Sequence, residues 1–265
     1  MNDDTPGPGD APQILPRDNG SSIAYHATPG NGPGVIFMTG FKSDMEGSKA
    51  LALEAFCRQR EQAFLRFDYT GHGQSSGQFT DGCIGDWAWD AVEALDSLTE
   101  GPQILVGSSM GGWIMLLAAL ARPDRVAGLV GIAAAPDFTE DLLPDELSDN
   151  QWAKMMRDGQ VDLPSPYDEE PTPITRKLVE DGRDMLLLRD DIELHCPVRL
   201  IHGKRDEDVP WATSLRIAER LKTTDVEVLL VKDGDHRMSE PQDIDRLCRV
   251  VDDLLTLVEE EPMTE

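Results

Sequence analysis

The sequence predicts an α/β protein with a mostly parallel sheet flanked on both faces by helices. Short apolar runs of strand length alternate along the chain with longer stretches that have helical periodicity. Strands that are separated by helices pair in parallel, because the chain must cross back over the sheet before the next strand begins. The alternation stops near residue 136 and resumes near residue 198, which predicts an insertion within a single domain.

Each core element follows from the composition of its segment. The strands are short runs rich in Val, Ile, Leu and Phe, and the helices are longer stretches rich in Ala, Leu and charged residues. Strands are predicted at 23–26, 35–38, 63–67, 103–106, 126–135, 198–201 and 226–231, the first of them at an edge of the sheet. Helices are predicted at 47–60, 84–98, 113–121, 212–221 and 243–259.

The domain organisation follows from what lies outside these elements. Residues 1–20 are rich in Pro, Gly and Asp and are predicted to form a flexible leader. Residues 21–135 and 191–265 would form the core. Residues 136–190 combine several prolines with apolar residues, and a structureless loop of that length would be unusual in a compact domain. This segment is therefore predicted to be a small helical cap, inserted after the sixth core strand.

The charge of the chain is strongly acidic. Asp and Glu total 50 against 24 Lys and Arg, which gives a formal net charge of -26. Such a surface repels nucleic-acid phosphates and anionic lipids, which argues against both as partners. The longest apolar runs, at 113–121 and 126–135, are much shorter than the roughly 20 residues that cross a bilayer, so no membrane insertion is expected.

Two further features bear on the cellular compartment. Residues 1–10 contain neither a basic stretch nor an apolar one, so no secretory signal is predicted. The four cysteines contain no C-x-x-C pair, and Cys57 and Cys248 fall within predicted helices, where a free thiol behaves as a small apolar residue. These observations lead us to expect a protein of the cytoplasm.

The most informative motif is Gly107-Ser108-Ser109-Met110-Gly111, a G-x-S-x-G pentapeptide. It follows a predicted strand and precedes a predicted helix, so it lies on a strand-to-helix turn. In such a turn the central serine hydroxyl stands above the edge of the sheet, and the flanking glycines leave room where a Cβ would clash. This context makes Ser109 the predicted nucleophile.

A serine hydroxyl is activated by an adjacent base that is itself oriented by an acid. His236 follows the last predicted strand, and Asp206 follows the strand before it. Both are therefore expected in loops at the carboxyl edge of the sheet, where the turn with Ser109 also lies. The sequence predicts Ser109, Asp206 and His236 as a catalytic triad.

Other residues compete for these roles. His72, on a glycine-rich turn after another strand, is the main rival as the base. Asp208 and Asp137 are rivals as the acid, since a carboxylate after the sixth strand could also reach the histidine. The remaining histidines are interpreted as structural: His26, His195 and His202. His202 would support the loop that carries the acid.

Acyl transfer also needs N–H donors for the oxyanion that develops at the carbonyl. The N–H of Met110, directly after the nucleophile at the start of its helix, is one candidate. The second is expected in the loop after the strand at 35–38, where we assign the N–H of Phe41.

A metal site is a weaker alternative. Asp233, Asp235 and His236 could be viewed as ligands, but no matching acidic, His or Cys set has site-like spacing elsewhere in the sequence. We predict no metal and no cofactor.

Five segments together carry a family resemblance. They are Gly-Phe-Lys-Ser-Asp-Met at 40–45, Phe-Asp-Tyr-Thr-Gly-His-Gly at 67–73, Gly-Ser-Ser-Met-Gly-Gly-Trp at 107–113, Cys-Pro-Val-Arg-Leu-Ile-His-Gly at 196–203 and Asp-His-Arg-Met at 235–238. They resemble the α/β-hydrolase superfamily, and within it the branch containing the mitochondrial hydrolase that cleaves palmitoyl thioesters from proteins and acyl glucuronides. The resemblance implies the α/β-hydrolase fold, the same triad, and Phe41 with Met110 as the oxyanion hole.

The predicted function is that of a serine carboxylesterase, which cleaves small-molecule carboxylic esters or thioesters through an acyl-enzyme intermediate. The alternatives are an acyl-protein thioesterase and an acyl-glucuronide esterase, followed by a peptidase, an acyltransferase or a non-catalytic binding protein of the same fold. The net charge favours neutral substrates over anionic ones. Three cations in predicted active-site loops could reverse that preference: Lys42, Arg205 and Arg237.

Overall fold

A computed structural model describes residues 11–165 and 170–260. Strands lie at β1 (Gln13–Pro16), β2 (Ser22–Thr28), β3 (Asn31–Met38), β4 (Gln62–Phe67), β5 (Gln103–Ser108), β6 (Val126–Ile132), β7 (Gln160–Leu163), β8 (Thr172–Thr175), β9 (Val198–Gly203) and β10 (Val226–Val231). Helices lie at α1 (Ser48–Gln59), α2 (Ile84–Leu98), α3 (Met110–Ala121), α4 (Phe138–Asp141), α5 (Leu143–Glu146), α6 (Asp149–Asp158), α7 (Arg176–Asp184), α8 (Ala212–Arg220) and α9 (Pro241–Glu260). Short 3₁₀ turns lie at Phe79–Asp81 and Pro123–Arg125.

Eight of these strands form one sheet in the order β1-β2-β4-β3-β5-β6-β9-β10. The pairs β1 with β2 and β2 with β4 are antiparallel, and the other neighbours are parallel. The predicted α/β class with a mostly parallel sheet is therefore confirmed. The carboxyl ends of the parallel strands meet at one edge of the sheet, so the loops after β3, β5, β9 and β10 gather there.

The sheet separates two apolar layers. In β3, Ile36 and Met38 are buried in the layer that contains Trp113 of α3, whereas Val35 and Phe37 are buried in the layer that contains Leu254 of α9. This division follows from the alternation of side chains along a strand. Because both faces are covered by helices, the middle residues of β3, β5 and β6 are apolar on both faces, and these strands hold their loops on a rigid base.

The first strand lies where the sequence predicts a flexible leader. β1 pairs with β2, with Gln13 opposite Tyr25, and Arg17 forms ion pairs of 2.6 and 2.8 Å with Asp90 and Glu93 of α2. The four-residue strand is shorter than the window over which a periodic pattern can be detected, and it stands among prolines and glycines. Residues 1–10 of the predicted leader lie outside the described residues.

The insertion between β6 and β9 contains α4 to α7 and a two-stranded antiparallel sheet, in which Val161 of β7 lies opposite Ile174 of β8. The prediction of a purely helical cap is thus incomplete. Prolines such as Pro164 and Pro173 exclude helix propagation in this part of the insertion. The insertion has its own apolar cluster, made of Leu143, Leu147, Met155, Val161, Ile174 and Val179.

Polar contacts join the insertion to the core at α2. The Asp181 carboxylate accepts a hydrogen bond of 2.8 Å from the N–H of Gly85, and Lys177 pairs with Asp86 at 2.7 Å. In addition, the Trp113 indole donates to the carbonyl of Met185 at 3.0 Å. The insertion is therefore held to the first turn of α2 and to α3, the helix that follows the nucleophile turn.

Candidate active site

Ser109 lies at the turn between β5 and α3 in a backbone conformation that non-glycine residues rarely adopt, with φ 55° and ψ -122°. A Cβ on Gly107 would overlap the carbonyl of Gly111, which explains the glycine before the turn. The Ser109 amide donates to the carbonyl of Ile132 at 2.9 Å, and its carbonyl accepts from the amide of Ala135 at 3.0 Å. These two hydrogen bonds hold the strained turn in place and fix the direction of the Ser109 hydroxyl.

The predicted nucleophile and histidine lie within hydrogen-bond distance. The Nε2 atom of His236 is 3.0 Å from Oγ of Ser109, and its Nδ1 atom is 2.8 Å from Oδ2 of Asp206. A carboxylate only accepts hydrogen bonds, so the ring proton lies on Nδ1 when His236 is neutral. Nε2 is then free to take the Ser109 proton. The structure brings the three predicted residues together as a hydrogen-bonded chain.

Asp206 is fully buried, yet several donors stabilise its charge. Burial makes the largest contribution and raises its pKa, but hydrogen bonds from His202 and His236 together with the positive field of His236 hold the pKa well below its usual range. Its second oxygen, Oδ1, accepts from the amides of Asp208 and Val209 at 3.0 and 2.7 Å. Asp206 is thus ionised, and both of its oxygens are fixed.

His202 supports this carboxylate directly. Its Nε2 atom lies 3.0 Å from Oδ2 of Asp206 and 3.0 Å from the carbonyl of Val209, and its Nδ1 atom lies 2.7 Å from Oγ of Ser214. Both Nε2 partners are acceptors, so the neutral ring carries its proton on Nε2 and accepts the serine hydroxyl at Nδ1. The sequence predicts that His202 supports the loop that carries Asp206. Only the folded structure shows that His202 and His236 contact the same oxygen of Asp206.

The two predicted oxyanion donors lie in the expected segments, one at the start of a helix and one in the loop after β3. Met110 is the first residue of α3, and the N–H groups of a first turn have no acceptor within the helix. Phe41 follows β3, and Gly40 brings this loop against the nucleophile, since a Cβ on Gly40 would lie 3.4 Å from Cβ of Ser109. The Phe41 ring packs against Phe79 and Phe138, with ring centroids 4.9 and 5.7 Å apart.

A cavity of about 520 Å³ lies above Ser109 and His236. One part of its wall is apolar and comes from the oxyanion loop and the insertion: Phe41, Phe138, Leu142, Leu143, Leu163 and Ile174. Its charged lining residues are balanced in number: Lys42, Lys49 and Arg237 against Asp44, Glu146 and Asp208. Apolar volume next to a nucleophile suits an extended acyl chain. Of the three cations proposed from the sequence, Arg205 instead pairs with Asp233 at 2.8 Å on the surface.

The rival residues have other partners. His72 is buried in an aromatic group, 5.0 Å from the ring of Trp87, and burial lowers its pKa to about 4. Asp137 is fully buried and accepts from the amides of Leu187 and Leu188 at 2.7 and 2.8 Å. Burial is also the main cause of its raised pKa. Asp137 therefore organises the end of the insertion.

The other two histidines also lie in structural settings. His26 is buried, 3.6 Å from a carboxylate oxygen of Glu46. His195 is exposed beside Glu193.

Among the described residues, one group could geometrically hold a metal ion, and it differs from the group that the sequence suggests. Ligand atoms of Asp206, Asp208 and His236 lie within 4.8 Å of one another, whereas Asp233 pairs with Arg205. The Asp206 oxygens already accept four of the hydrogen bonds described above. The Asp206 carboxylate is therefore placed to orient His236, and its oxygens are already occupied by hydrogen bonds instead of being available to coordinate an ion.

Lys49 is a site residue that the sequence analysis missed. It lies in the first turn of α1, and its ammonium donates to the carbonyl of Arg237 at 2.5 Å and to Oγ of Ser239 at 3.3 Å. Burial, followed by the field of Arg237, lowers the pKa of Lys49 to about 8. Lys49 thereby anchors the residue next to His236. Nothing in the local sequence of α1 indicates this contact, because its partner is 188 residues away.

Comparisons with known proteins agree with the fold. The chain belongs to the α/β-hydrolase family, in the branch that contains the ABHD10 thioesterases: residues 49–165 match the family model described as the alpha/beta hydrolase fold, and relatives of that branch cover most of the chain. The mitochondrial palmitoyl-protein thioesterase ABHD10 of Rattus norvegicus is 44% identical over 246 residues, which are 91% of this chain and 82% of the relative. The Homo sapiens protein of the same name is 42% identical over 246 residues, 91% of this chain and 79% of that one.

A solved structure supports the same family membership. The alpha/beta hydrolase domain-containing protein 10 from mouse has a TM-score of 0.87 with this chain at 42% sequence identity, and the match covers 94% of this chain and 100% of that one. The predicted resemblance is therefore confirmed, and the chain is an ester or thioester hydrolase.

The expectation of a cytoplasmic protein is wrong, because the relatives that match at about 44% identity over most of the chain are mitochondrial proteins. That expectation depended on residues 1–10 and on free thiols, and neither feature distinguishes between reducing compartments. Within residues 11–165 and 170–260, no helix combines the length and the apolar character needed to span a bilayer.

Proposed function

We propose that this chain is a serine thioesterase that releases an acyl chain from a thiol carrier. The observation that carries the proposal is the chain of 3.0 and 2.8 Å hydrogen bonds from Ser109 through His236 to Asp206, at the base of a cavity with an apolar wall. The relatives named as palmitoyl-protein thioesterases favour this function over the carboxylesterase expected from the sequence.

The proposed reaction has two halves. Nε2 of His236 takes the Ser109 proton as Oγ attacks the thioester carbonyl, and the N–H groups of Phe41 and Met110 stabilise the oxyanion. When the tetrahedral intermediate collapses, the C–S bond breaks and the sulfur takes the proton from His236. Water then attacks the acyl-enzyme, giving one proton to His236, and Ser109 recovers that proton as the carboxylic acid leaves.

The lining of the cavity supports an apolar acyl group. Leu142, Leu143 and Phe138 come from the insertion, and Phe41 comes from the oxyanion loop. Each methylene that moves from water to such a surface contributes about 0.8 kcal/mol. The proposal therefore includes a preference for longer acyl chains over acetyl.

The test compares a palmitoyl thioester, a palmitoyl oxyester and an acetyl thioester by kcat/KM. We expect the palmitoyl thioester to be the best substrate. Ser109→Ala should abolish turnover and labelling by a fluorophosphonate, and Ser108→Ala is the matched control, because Nε2 of His236 bonds to Oγ of Ser109. Faster turnover of the oxyester than of the thioester would favour the carboxylesterase function instead. Labelling of Ser109→Ala would exclude Ser109 as the nucleophile.

A further inference from the structure

A second groove, of about 640 Å³, lies beside the catalytic cavity. The two share the wall formed by Lys42, Ser43 and Asp44, in the loop that also carries Phe41. The opposite side of the groove comes from the hairpin of the insertion. The groove and the catalytic cavity are therefore neighbours on the loop that carries Phe41.

The groove differs in chemistry from the catalytic cavity. Among its described lining residues the carboxylates are Asp44, Asp162 and Glu170, and the only Lys or Arg is Lys42. The Lys42 ammonium already donates to the carbonyls of Glu170 and Pro171 at 3.3 and 3.4 Å. The groove therefore presents a surplus of negative charge, beside the apolar surfaces of Phe79 and Pro173.

His72 lies against the same groove, with its ring buried. Its ring lines the groove and is 4% exposed, and its Nε2 atom has no hydrogen-bond partner among the described residues. Nδ1 faces the carbonyl of Thr70 at 3.4 Å, which places the ring proton on Nδ1 and leaves Nε2 as an acceptor. Because Nε2 is buried, the carboxylates are the groups of the groove that a ligand with N–H donors and positive charge would contact.

We propose that this groove binds the leaving-group side of the substrate, and that the leaving group is a polypeptide with Lys or Arg close to the acylated cysteine. This inference rests on the proposed thioesterase function. The acyl chain would occupy the apolar cavity, and the peptide would lie between the oxyanion loop and the hairpin. Peptide N–H groups, basic side chains and the apolar faces of Phe79 and Pro173 give this class of ligand a partner on each wall.

The expected selectivity is modest but measurable. Exposed ion pairs contribute about 0.2–1 kcal/mol each, so two of them change kcat/KM by about two- to thirtyfold. The effect should weaken as salt increases, because exposed charges are screened. Since the whole chain carries -26, a preference for cations could also come from its overall field. The experiment must separate the groove from that field.

The substrates are three short peptides with one S-palmitoylated cysteine, flanked by Lys, by Ser or by Glu, together with the palmitoyl thioester of N-acetylcysteamine. We expect kcat/KM to fall in the order Lys, Ser, Glu. In Asp162→Asn/Glu170→Gln the Lys-to-Glu ratio should fall at least threefold, while turnover of the uncharged thioester stays unchanged, because neither residue lines the catalytic cavity.

The matched control is Glu100→Gln/Asp124→Asn, which removes the same charge. These exposed residues precede β5 and β6, so they lie at the amino edge of the sheet, opposite the site. An equal fall of the ratio in this control, or equal turnover of the Lys and Glu peptides by the wild type, would overturn the groove proposal alone. Failure to hydrolyse the uncharged thioester would overturn the thioesterase proposal, and the groove proposal with it.

Discussion

His202 and His236 share one acceptor, the Oδ2 atom of Asp206, at 3.0 and 2.8 Å. The two imidazoles differ in exposure. His202 is fully buried, whereas the side chain of His236 is 15% exposed and lines the cavity. One histidine can therefore exchange protons with a substrate, and the other can only hold the carboxylate in place.

This relationship predicts that His202 acts through Asp206. His202→Phe should lower kcat about tenfold with little change of KM, because the carboxylate loses a fixed donor and the Val209 carbonyl loses its own, each worth about 1–3 kcal/mol. His202→Gln retains an N–H near the position of Nε2 and should recover part of kcat. His195→Phe, at an exposed histidine, is the control. A change in KM alone would show that His202 shapes the cavity instead.

A second prediction separates the two buried acids. Asp206→Asn should lower kcat by about 10⁴, as when the acid of a triad is replaced by its amide, because the histidine loses the partner that fixes its tautomer. Asp137→Asn should leave kcat within about threefold but reduce the free energy of unfolding by about 1–3 kcal/mol, because its carboxylate accepts two amides of the insertion. Steady-state kinetics and urea unfolding of both variants check this. A large loss of kcat in Asp137→Asn, with little loss in Asp206→Asn, would place the catalytic acid after β6.

The site shows which features a sequence can reveal. The turn around Ser109 is encoded by adjacent residues, so the pentapeptide and its flanks predict the strand, the turn and the helix together. Asp206 and His236 could be predicted because each follows a strand of a parallel sheet. The fold class was predictable for the same reason, since the strand and helix periods are local.

Other features depend on contacts between distant residues. The bond from Lys49 to the Arg237 carbonyl needs α1 to pack beside the last loop, and no local pattern encodes that. The β7–β8 hairpin was missed because each strand has only four residues, and one of them contains a proline. The strand β1 was missed for the same reason of length.

Lys49 gives a third prediction. Lys49→Met removes the donor that holds the Arg237 carbonyl, so the His236 loop gains freedom and kcat should fall about three- to tenfold. Lys49→Arg should retain part of the activity, since a guanidinium can still donate. Lys154→Met, at an exposed lysine of α6, is the control for loss of one charge. Unchanged kcat in Lys49→Met would exclude a positioning role.

The fourth prediction concerns acid sensitivity and depends on His72. Its ring centroid lies 5.0 Å from Phe79 and 5.0 Å from Trp87, and burial lowers its pKa to about 4, from about 6.5 for an ordinary histidine. Above pH 6.5 the ring is neutral in both the folded and the unfolded chain, so it has no linked effect on stability. Between pH 6.5 and 4 the unfolded chain binds the proton and the folded chain does not. Stability is therefore lost as the pH falls through this window.

The size of that loss follows from the shift of the His72 pKa. At pH 4.5 it should cost the wild type about 2 kcal/mol relative to pH 7, on the basis of about 1.4 kcal/mol per pKa unit. His72→Phe removes the titrating group and keeps an aromatic ring, and the Thr70 carbonyl still accepts from the Trp87 indole at 3.0 Å. Urea unfolding at both pH values should therefore show a loss smaller by about 2 kcal/mol in the variant, because the carboxylates titrate in both proteins and cancel in the difference. An equal loss would mean that His72 is protonated in the folded chain with a nearly normal pKa.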